Sequence, residues 1–239
     1  MHPKLLTEAL FDSARAKGAQ LKTAGVIGFS ISRNVVNGVQ LDTGEVLDAD
    51  IVVIAMGPWS GLVRDWFPRS GLPNIDGSRV HSIVLKPNED ITNHSIFLSG
   101  HHGDPEIYPR PDGTVYMCGE SDKEPLPPDP KNVRLNELKC LDLQTTASKI
   151  SKSLKSASLI ANQSCYLPSG PDGLPIMGKL PNYKGAFIAT GHTCWGILNA
   201  PASGLVMAEI ILHGSSSCID SSPFDPSRFL STGNKKRKK

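Results

Sequence analysis

The stretch Phe187 to Gly204, FIATGHTCWGILNAPASG, gathers residues able to do chemistry into a short span. A buried-strand pattern runs into the turn Gly191-His192. A helix pattern follows, opening at Gly196 and continuing through Ala200, Ala202, Ser203 and Gly204. Side chains this small at the start of a helix leave space for something large and planar. A helix N-terminus also offers unpaired N–H donors and about half a positive charge to an electron-rich group. Other chemistries find no frame. His101-His102 in SGHHGDPE have no third partner for a metal, and SGLVRDW is not the G-x-S-x-G of a nucleophile elbow. The sequence also holds no P-loop, no paired zinc cysteines and no heptads.

The elements that must position this turn can be read along the chain. Leu5, Leu6, Ala9, Leu10 and Ala14 recur at helical spacing over residues 4 to 17, with Gly18 as C-cap. AGVIGFSIS reads as a strand. GVQLDTGEVLDADIVVIAMG reads as a hairpin turning at Asp42-Thr43-Gly44, then a strand over Ile51 to Ala55. That unbroken apolar run predicts a parallel-sheet strand covered on both faces. From Arg79 the texture changes. RVHSIVLKP, HSIFLSG, EIYPRP and TVYMCGE are short alternating strands, the last two joined by Pro111-Asp112-Gly113, which predicts an inserted antiparallel sheet. Residues 121–132 read as a loop. Residues 133–155 read as one helix burying Leu135, Leu138, Leu141, Ile150 and Leu154.

The bulk numbers set bounds. With 239 residues, 39% of them hydrophobic and 20% charged, the chain can bury a sizeable core as one domain or two small ones. A net charge of +2, much of it in Lys235 to Lys239 (KKRKK), gives no reason to invoke nucleic acid. No continuous apolar run reaches the roughly 18 residues of a membrane span, and the N-terminus lacks the apolar core of a secretion signal. No stable membrane insertion is therefore expected. The cysteines, Cys118, Cys140, Cys165, Cys194 and Cys218, are odd in number and share no metal-type spacing, which fits free thiols in a reducing, cytoplasmic setting. The basic end leaves a nuclear or endomembrane address open.

Three pieces carry a family resemblance: His2 to Phe29, Asp48 to Gly61 (DADIVVIAMGPWSG) and Gly170 to Ile211 (GPDGLPIMG onward). In order and spacing they resemble the C-terminal two thirds of FAD-dependent oxidoreductases of the D-amino acid oxidase superfamily, which includes glycine and sarcosine oxidases. The resemblance covers most of residues 1–214. It implies an α/β fold of mixed α+β character, with an incomplete FAD-binding Rossmann-like domain (1–78 and 156–214) and an inserted antiparallel-sheet substrate domain (79–155). A Ser- and Pro-rich tail (215–239) is expected to be ordered only in part.

The resemblance also implies a cofactor, FAD, and a small-molecule amine or amino-acid substrate. The strand carrying Val26 would lie near the adenine, and Gly57 would let backbone approach the cofactor beside Trp59. Gly191, His192 and Trp195 would border the flavin ring, with the amides of Gly196, Ile197 and Leu198 aimed at it. Arg110 would clamp a substrate carboxylate, with Tyr108 adding a hydroxyl; a solvent-facing arginine and a half-buried strand tyrosine are the alternatives. Cys165 resembles the cysteine that sarcosine-oxidase-like relatives attach to the flavin, the alternative being a buried apolar thiol. No acid or base is compulsory in such chemistry, so no catalytic residue is assigned.

One part of the family pattern is missing. The strand, G-x-G-x-x-G turn and helix that hold the pyrophosphate do not occur; GVIGFS has the wrong spacing, and the following Asp or Glu is absent too. The expectation is thus an N-terminally truncated FAD-dependent oxidoreductase that holds FAD poorly as this chain. The alternative is a non-catalytic remnant acting through protein interaction, for example in membrane trafficking.

Overall fold

The computed structural model describes residues 2–100 and 104–234, with side chains through 230; His101, His102 and the basic run Lys235 to Lys239 lie outside the described residues. The chain opens on α1 (Pro3–Arg15), where Pro3 presets φ and gives up an N–H that no helical carbonyl would take. The helix is as expected but its apolar face is not covered, since no residue of α1 is buried. β1 (Val26–Ser32), β2 (Val35–Leu41) and β3 (Val46–Asp48) make an antiparallel meander. Gly44, at φ 83°, closes the second turn as read. The first turn is Arg33-Asn34, both left-handed at φ 49° and 66°, a pair the sequence does not announce as Asn-Gly would.

β4 (Val52–Ile54), a 3-10 turn (Gly57–Leu62) and the short α2 (Val63–Trp66) follow. Next come β5 (Asp76–Lys86), β6 (Ile96–Phe97), β7 (Glu106–Pro109) and β8 (Val115–Asp122). The helices α3 (Glu137–Ile150) and α4 (Lys152–Lys155) precede β9 (Ser158–Ser169). β10 (Ile176–Lys179), β11 (Ala186–Thr190), α5 (Gly196–His213) and 3-10 turns at Ser222–Phe224 and Pro226–Asn234 complete the chain.

These elements group into two compact units, one of residues 1–17 with 78–166, the other of residues 18–77 with those from 167 onward. In the second unit β4 and β11 run parallel and β10 is antiparallel to β11, in the order β10-β11-β4. One side of this sheet meets the cluster of Val36, Ile54, Phe67, Ile176, Leu180 and Ile188. Phe67, fully buried, has Phe29 and Tyr183 at ring distances of 4.7 and 4.9 Å. On the other side Val206 and Met207 of α5 cover Met177 and Phe187. β11 is therefore covered on both faces. β4 is not: Val53 pairs with Phe187 but is 42% exposed, because β4 is the edge strand and α5 covers its neighbours.

Two features bear on other expectations. Thr193–His213 is long and apolar enough to cross a membrane by length and composition, with a mean hydropathy of 1.4. A search for unbroken apolar runs misses it, because Gly, Ala, Asn and Pro are interspersed. The segment after Gly214 carries more structure than its Ser and Pro content suggests, since Pro226 is buried and Phe229 packs on the core.

The first unit is a five-stranded sheet in the order β6-β7-β8-β5-β9. Ile83, Leu85, Ile107, Val115 and Met117 line one face and meet Cys140, Leu143, Ala147 and Leu154. Of the expected helix face, Leu154 is in that set and Ile150 packs against it half-buried. Leu138 is 72% exposed, and Leu135 and Leu141 also face solvent. The reading chose the largest apolar residues, whereas the sheet selects the stripe at i, i+3 and i+7 whose Cys and Ala allow close approach. The helix is also two helices. It starts at Glu137 because the Asn136 N–H is taken by His81 Nε2 (3.2 Å), and it breaks at Ser151, whose hydroxyl accepts from Ser153 N–H (3.2 Å).

A polar seam sits at that helix start. Arg79, 6% exposed, donates to both oxygens of Asp122 (2.7 and 2.6 Å) and to the Arg134 carbonyl (3.0 Å). Asn136 adds a bond to Asp122 (3.2 Å), and Lys139 donates to Glu120 (2.9 Å). A bulge brings both carboxylates to this face. The β5–β8 register shifts between His81 and Ser82, so Met117 and then Glu120 and Asp122 lie on one side. Gly119 absorbs the extra residue at φ 148°, where a Cβ would come within 2.5 Å of Pro105 Cα.

The Arg79 fork holds the Asp122 carboxyl well below the usual carboxylate range. A depressed carboxyl pKa contributes stability above the ordinary range that is lost as pH falls through the folded-state value. Replacing Arg79 by Ala strands a largely buried carboxylate and is expected to cost about 3–5 kcal/mol in denaturant unfolding. The same variant should show a weaker acid dependence of stability; an unchanged dependence would place the effect elsewhere.

Candidate cofactor and substrate sites

The cofactor side is built at the carboxyl ends of β4 and β11. Val52, Val53 and Ile54 pair with Ala186, Phe187 and Ile188, so the turns after both strands emerge side by side. The Thr190 hydroxyl ties them together by donating to the Gly57 carbonyl at 3.0 Å. Ligands of parallel α/β sheets bind at this end of the strands. Gly57 and Gly191 adopt φ 53° and 79°, conformations that L side chains resist. A Cβ on Gly57 would meet open space, and one on Gly191 only ordinary contacts with Leu174 and Ile176 at 3.5–3.6 Å. Backbone conformation, not crowding, therefore calls for glycine at both.

Around these turns the polar groups are donors or neutral. His192 is half-buried and shares a hydrogen bond of 2.9 Å with the Ser203 hydroxyl, and burial pushes its pKa down, which favours the neutral ring. Thr193 follows at φ 52°. Trp195 stands at the N-cap of α5 with no side-chain hydrogen bond to the first turn formed by Gly196, Ile197 and Leu198. Trp59 is half-buried, and the adjoining Ser60 is fully buried with an oxygen that has no partner. Residues 55–62 and 190–204 contain no Asp or Glu.

This donor set fits the electron-rich edge of a flavin. The pieces are an uncapped helix start, a neutral imidazole, an orphaned buried hydroxyl and no carboxylate to repel the group. The small residues of α5 do not press against the sheet as expected. Ala200, Ala202 and Gly204 are exposed, and a Cβ at Gly204 would touch nothing. Val26 opens β1 opposite Leu41, in a sheet separate from β4 and β11.

The remaining candidates belong to the other unit. Strand alternation gives its sheet a second face, which carries Ser82, Glu106, Tyr108, Tyr116 and Cys118. Tyr108 stands opposite Tyr116, with ring centroids 6.4 Å apart, and its hydroxyl donates to the Glu106 carboxylate. Burial pushes both tyrosine hydroxyls well above their ordinary pKa. The Arg110 guanidinium lies 4.9 Å over the Tyr116 ring. Phe97 meets Tyr108 edge-on at 5.8 Å. Cys165 is exposed, and the atoms around it still withhold enough water to push its thiol pKa up.

The structure thus brings Gly57, Trp59, Gly191, His192 and the α5 start to one strand end, and Tyr108 and Arg110 to one sheet face. The sequence does not single out Thr190, Ser60, Tyr116 and Glu106, and marks Ser203 only as a small residue of the helix start and not as the partner of His192. Tyr116 was accessible from the Pro111-Asp112-Gly113 turn, which sets it opposite Tyr108; Ser60 and Ser203 leave no such trace. Among the described residues no group of three or more His, Cys, Asp or Glu could hold a metal ion.

Comparison with known proteins converges on one family. Residues 1–210 match DAO, described as "FAD dependent oxidoreductase". TDA3 of Saccharomyces cerevisiae, an oxidoreductase by name with no substrate in it, is 36% identical over 200 residues, spanning 78% of this chain and 36% of that protein. A glycine oxidase of Pseudomonas putida is 28% identical over 202 residues, covering 84% and 52%. The crystal structure of glycine oxidase from Bacillus cereus superposes with a TM-score of 0.75 at 25% identity, covering 88% of this chain and 56% of that one. The chain spans about a third to a half of the length of the curated relatives named.

For His192, an NMR titration of the ring should give a midpoint below that of an ordinary histidine. A depressed histidine pKa means stability that is present above the unfolded-state value and lost as pH falls through the folded one. Ser203→Ala should alter the His192 ring shifts; unchanged shifts would mean that the hydrogen bond is not formed in solution.

Proposed function

Since this chain belongs to the DAO family of FAD-dependent oxidoreductases, shown by the match over residues 1–210, we propose that it carries the flavin-ring and substrate-facing parts of an amine- or amino-acid-oxidising enzyme. The observation that carries the reading is the pair of glycine turns joined by the Thr190–Gly57 hydrogen bond, beside a helix start without a side-chain cap. FAD, when bound, would supply the redox step as the acceptor of a hydride, the hydrogen with both electrons of a C–H bond next to a substrate nitrogen.

The protein's own residues hold and orient. The first-turn amides of α5 and its dipole favour electron density at the pyrimidine edge, a contribution of about 0.3–2 kcal/mol. Val26 backbone would hold the purine end, Gly57 and Gly191 would leave the ring free of side chains, and His192 would offer it a hydrogen bond.

On the substrate side Arg110 lies over the Tyr116 ring, 4.9 Å from its centroid, and its fork would take a substrate carboxylate. Relatives named glycine oxidase and D-amino-acid oxidase support an amino-acid substrate.

A visible absorption spectrum of the purified protein, taken before and after denaturation and filtration, tests the reading. Flavin bands are expected in the filtrate. Colour retained on the protein would assign Cys165 as an attachment point, and a protein that stays colourless after FAD is added would overturn the reading for this chain. Ile197→Pro deletes one amide of the first turn, where an N–H has no carbonyl of its own helix to meet. It should weaken FAD binding about 2- to 12-fold, the range of one hydrogen bond, with the melting temperature unchanged.

A further inference from the structure

The segment after α5 contains Pro226-Ser227-Arg228-Phe229, and the Arg228 side chain is 17% exposed. Its guanidinium donates to both oxygens of Asp172, Nε to Oδ2 at 2.8 Å and Nη2 to Oδ1 at 3.2 Å. Nη2 also reaches the carbonyls of Leu174 (3.4 Å) and Pro175 (3.1 Å). Nη1 turns back to the carbonyls of Phe224 (2.7 Å) and Asp225 (3.2 Å). The group also lies 4.2 Å over the Phe229 ring. Packing holds the segment on either side of Arg228. Pro226 lies against Gly178 of β10, where a Cβ would come within 3.1 Å of its ring, and Leu230 fills the space a side chain at Gly71 would need.

What Arg228 grips is the turn that enters β10. Two residues on, Ile176 pairs with Thr190, the residue before Gly191 and the donor to Gly57. The Leu174 carbonyl and Ile176 also lie directly behind Gly191, at 3.5 and 3.6 Å from where its Cβ would be. A shift of the 172–175 turn therefore moves the backing of both glycine turns.

We propose that Arg228 is a positioning residue, a latch by which the C-terminal segment fixes the 172–175 turn and through it the Gly191-His192 turn. That these turns face a flavin rests on the functional reading above. Arginine is required rather than lysine because one planar fork must serve a carboxylate on one side and carbonyls on the others. A residue that merely anchors the tail would release the tail and leave the turns in place.

Amide hydrogen exchange on the whole chain separates these outcomes, comparing wild type with Arg228→Gln and Arg228→Lys. In Arg228→Gln, amides of Asp172 to Leu174, Ile176 and Thr190 to Thr193 should exchange about tenfold faster, while the β1–β3 meander is unchanged. FAD affinity should fall about tenfold, and Arg228→Lys should recover only part of either loss. Faster exchange confined to residues 222–230 with unaltered FAD affinity would overturn the proposal. If wild type takes up no flavin, the functional reading fails by itself, and the exchange pattern still decides the latch. Should Arg228→Gln not fold, Asp172→Asn removes the charge of the other partner at constant volume and should give the same pattern at smaller amplitude; no change there would sink the latch.

Discussion

The parallel contact of β4 with β11 is the constraint on which the cofactor side depends. Only three residue pairs make it, yet it sets the ends of two loops from distant parts of the chain next to each other. Hydrophobic burial under Ile54 and Ile188 fixes which residues face the core, and alternation then fixes where the strands end. Thr190, at the last position of β11, spends its hydroxyl on the neighbouring turn and not on its own. Glycine turns are flexible in isolation. Here they are held from the side by a side-chain bond and from behind by β10.

Much of this was legible in the residues, for physical reasons. FIAT before Gly191 is apolar on both faces, and β11 is covered on both faces. The alternation in EIYPRP and TVYMCGE, with Pro111-Asp112-Gly113 between them, is enough to fix a hairpin and its register. Ile51 to Ala55 looks the same as β11 in sequence and yet lies half-open, because burial on the second face depends on which neighbour covers it. The α3 face failed for a related reason. Amphipathic spacing was satisfied twice, by the leucines at 135, 138 and 141 and by Cys140, Leu143 and Ala147, and the sheet took the smaller set.

The sites divide in the same way. Glycines at strand ends and a Gly-His turn are local signals, so the cofactor side could be outlined from the sequence. Ser203 and Arg228 act through partners 11 and 56 positions away, and Ser60 through an enclosure that only folding creates. Arg228 in particular sits in a stretch whose composition suggests slack chain. Its side chain nonetheless closes four carbonyls and a carboxylate around one cation, which is how a Ser- and Pro-rich segment can be held without a helix or strand of its own.

The extra residue at Gly119 has a consequence for how β8 can change over time. It shifts the phase of the strand, so that Tyr116 and Cys118 look to one side while Glu120 and Asp122 look to the other along with Met117. Each side can then drift by substitution almost independently of its opposite. Insertion is another matter. One more residue after Gly119 would exchange the two sets beyond it, turning the seam carboxylates outward and bringing Ser121 in, whereas loss of Gly119 itself would only straighten the strand and leave both carboxylates on the seam. Variation in what this sheet recognises should therefore come as replaced side chains and not as inserted residues in β8.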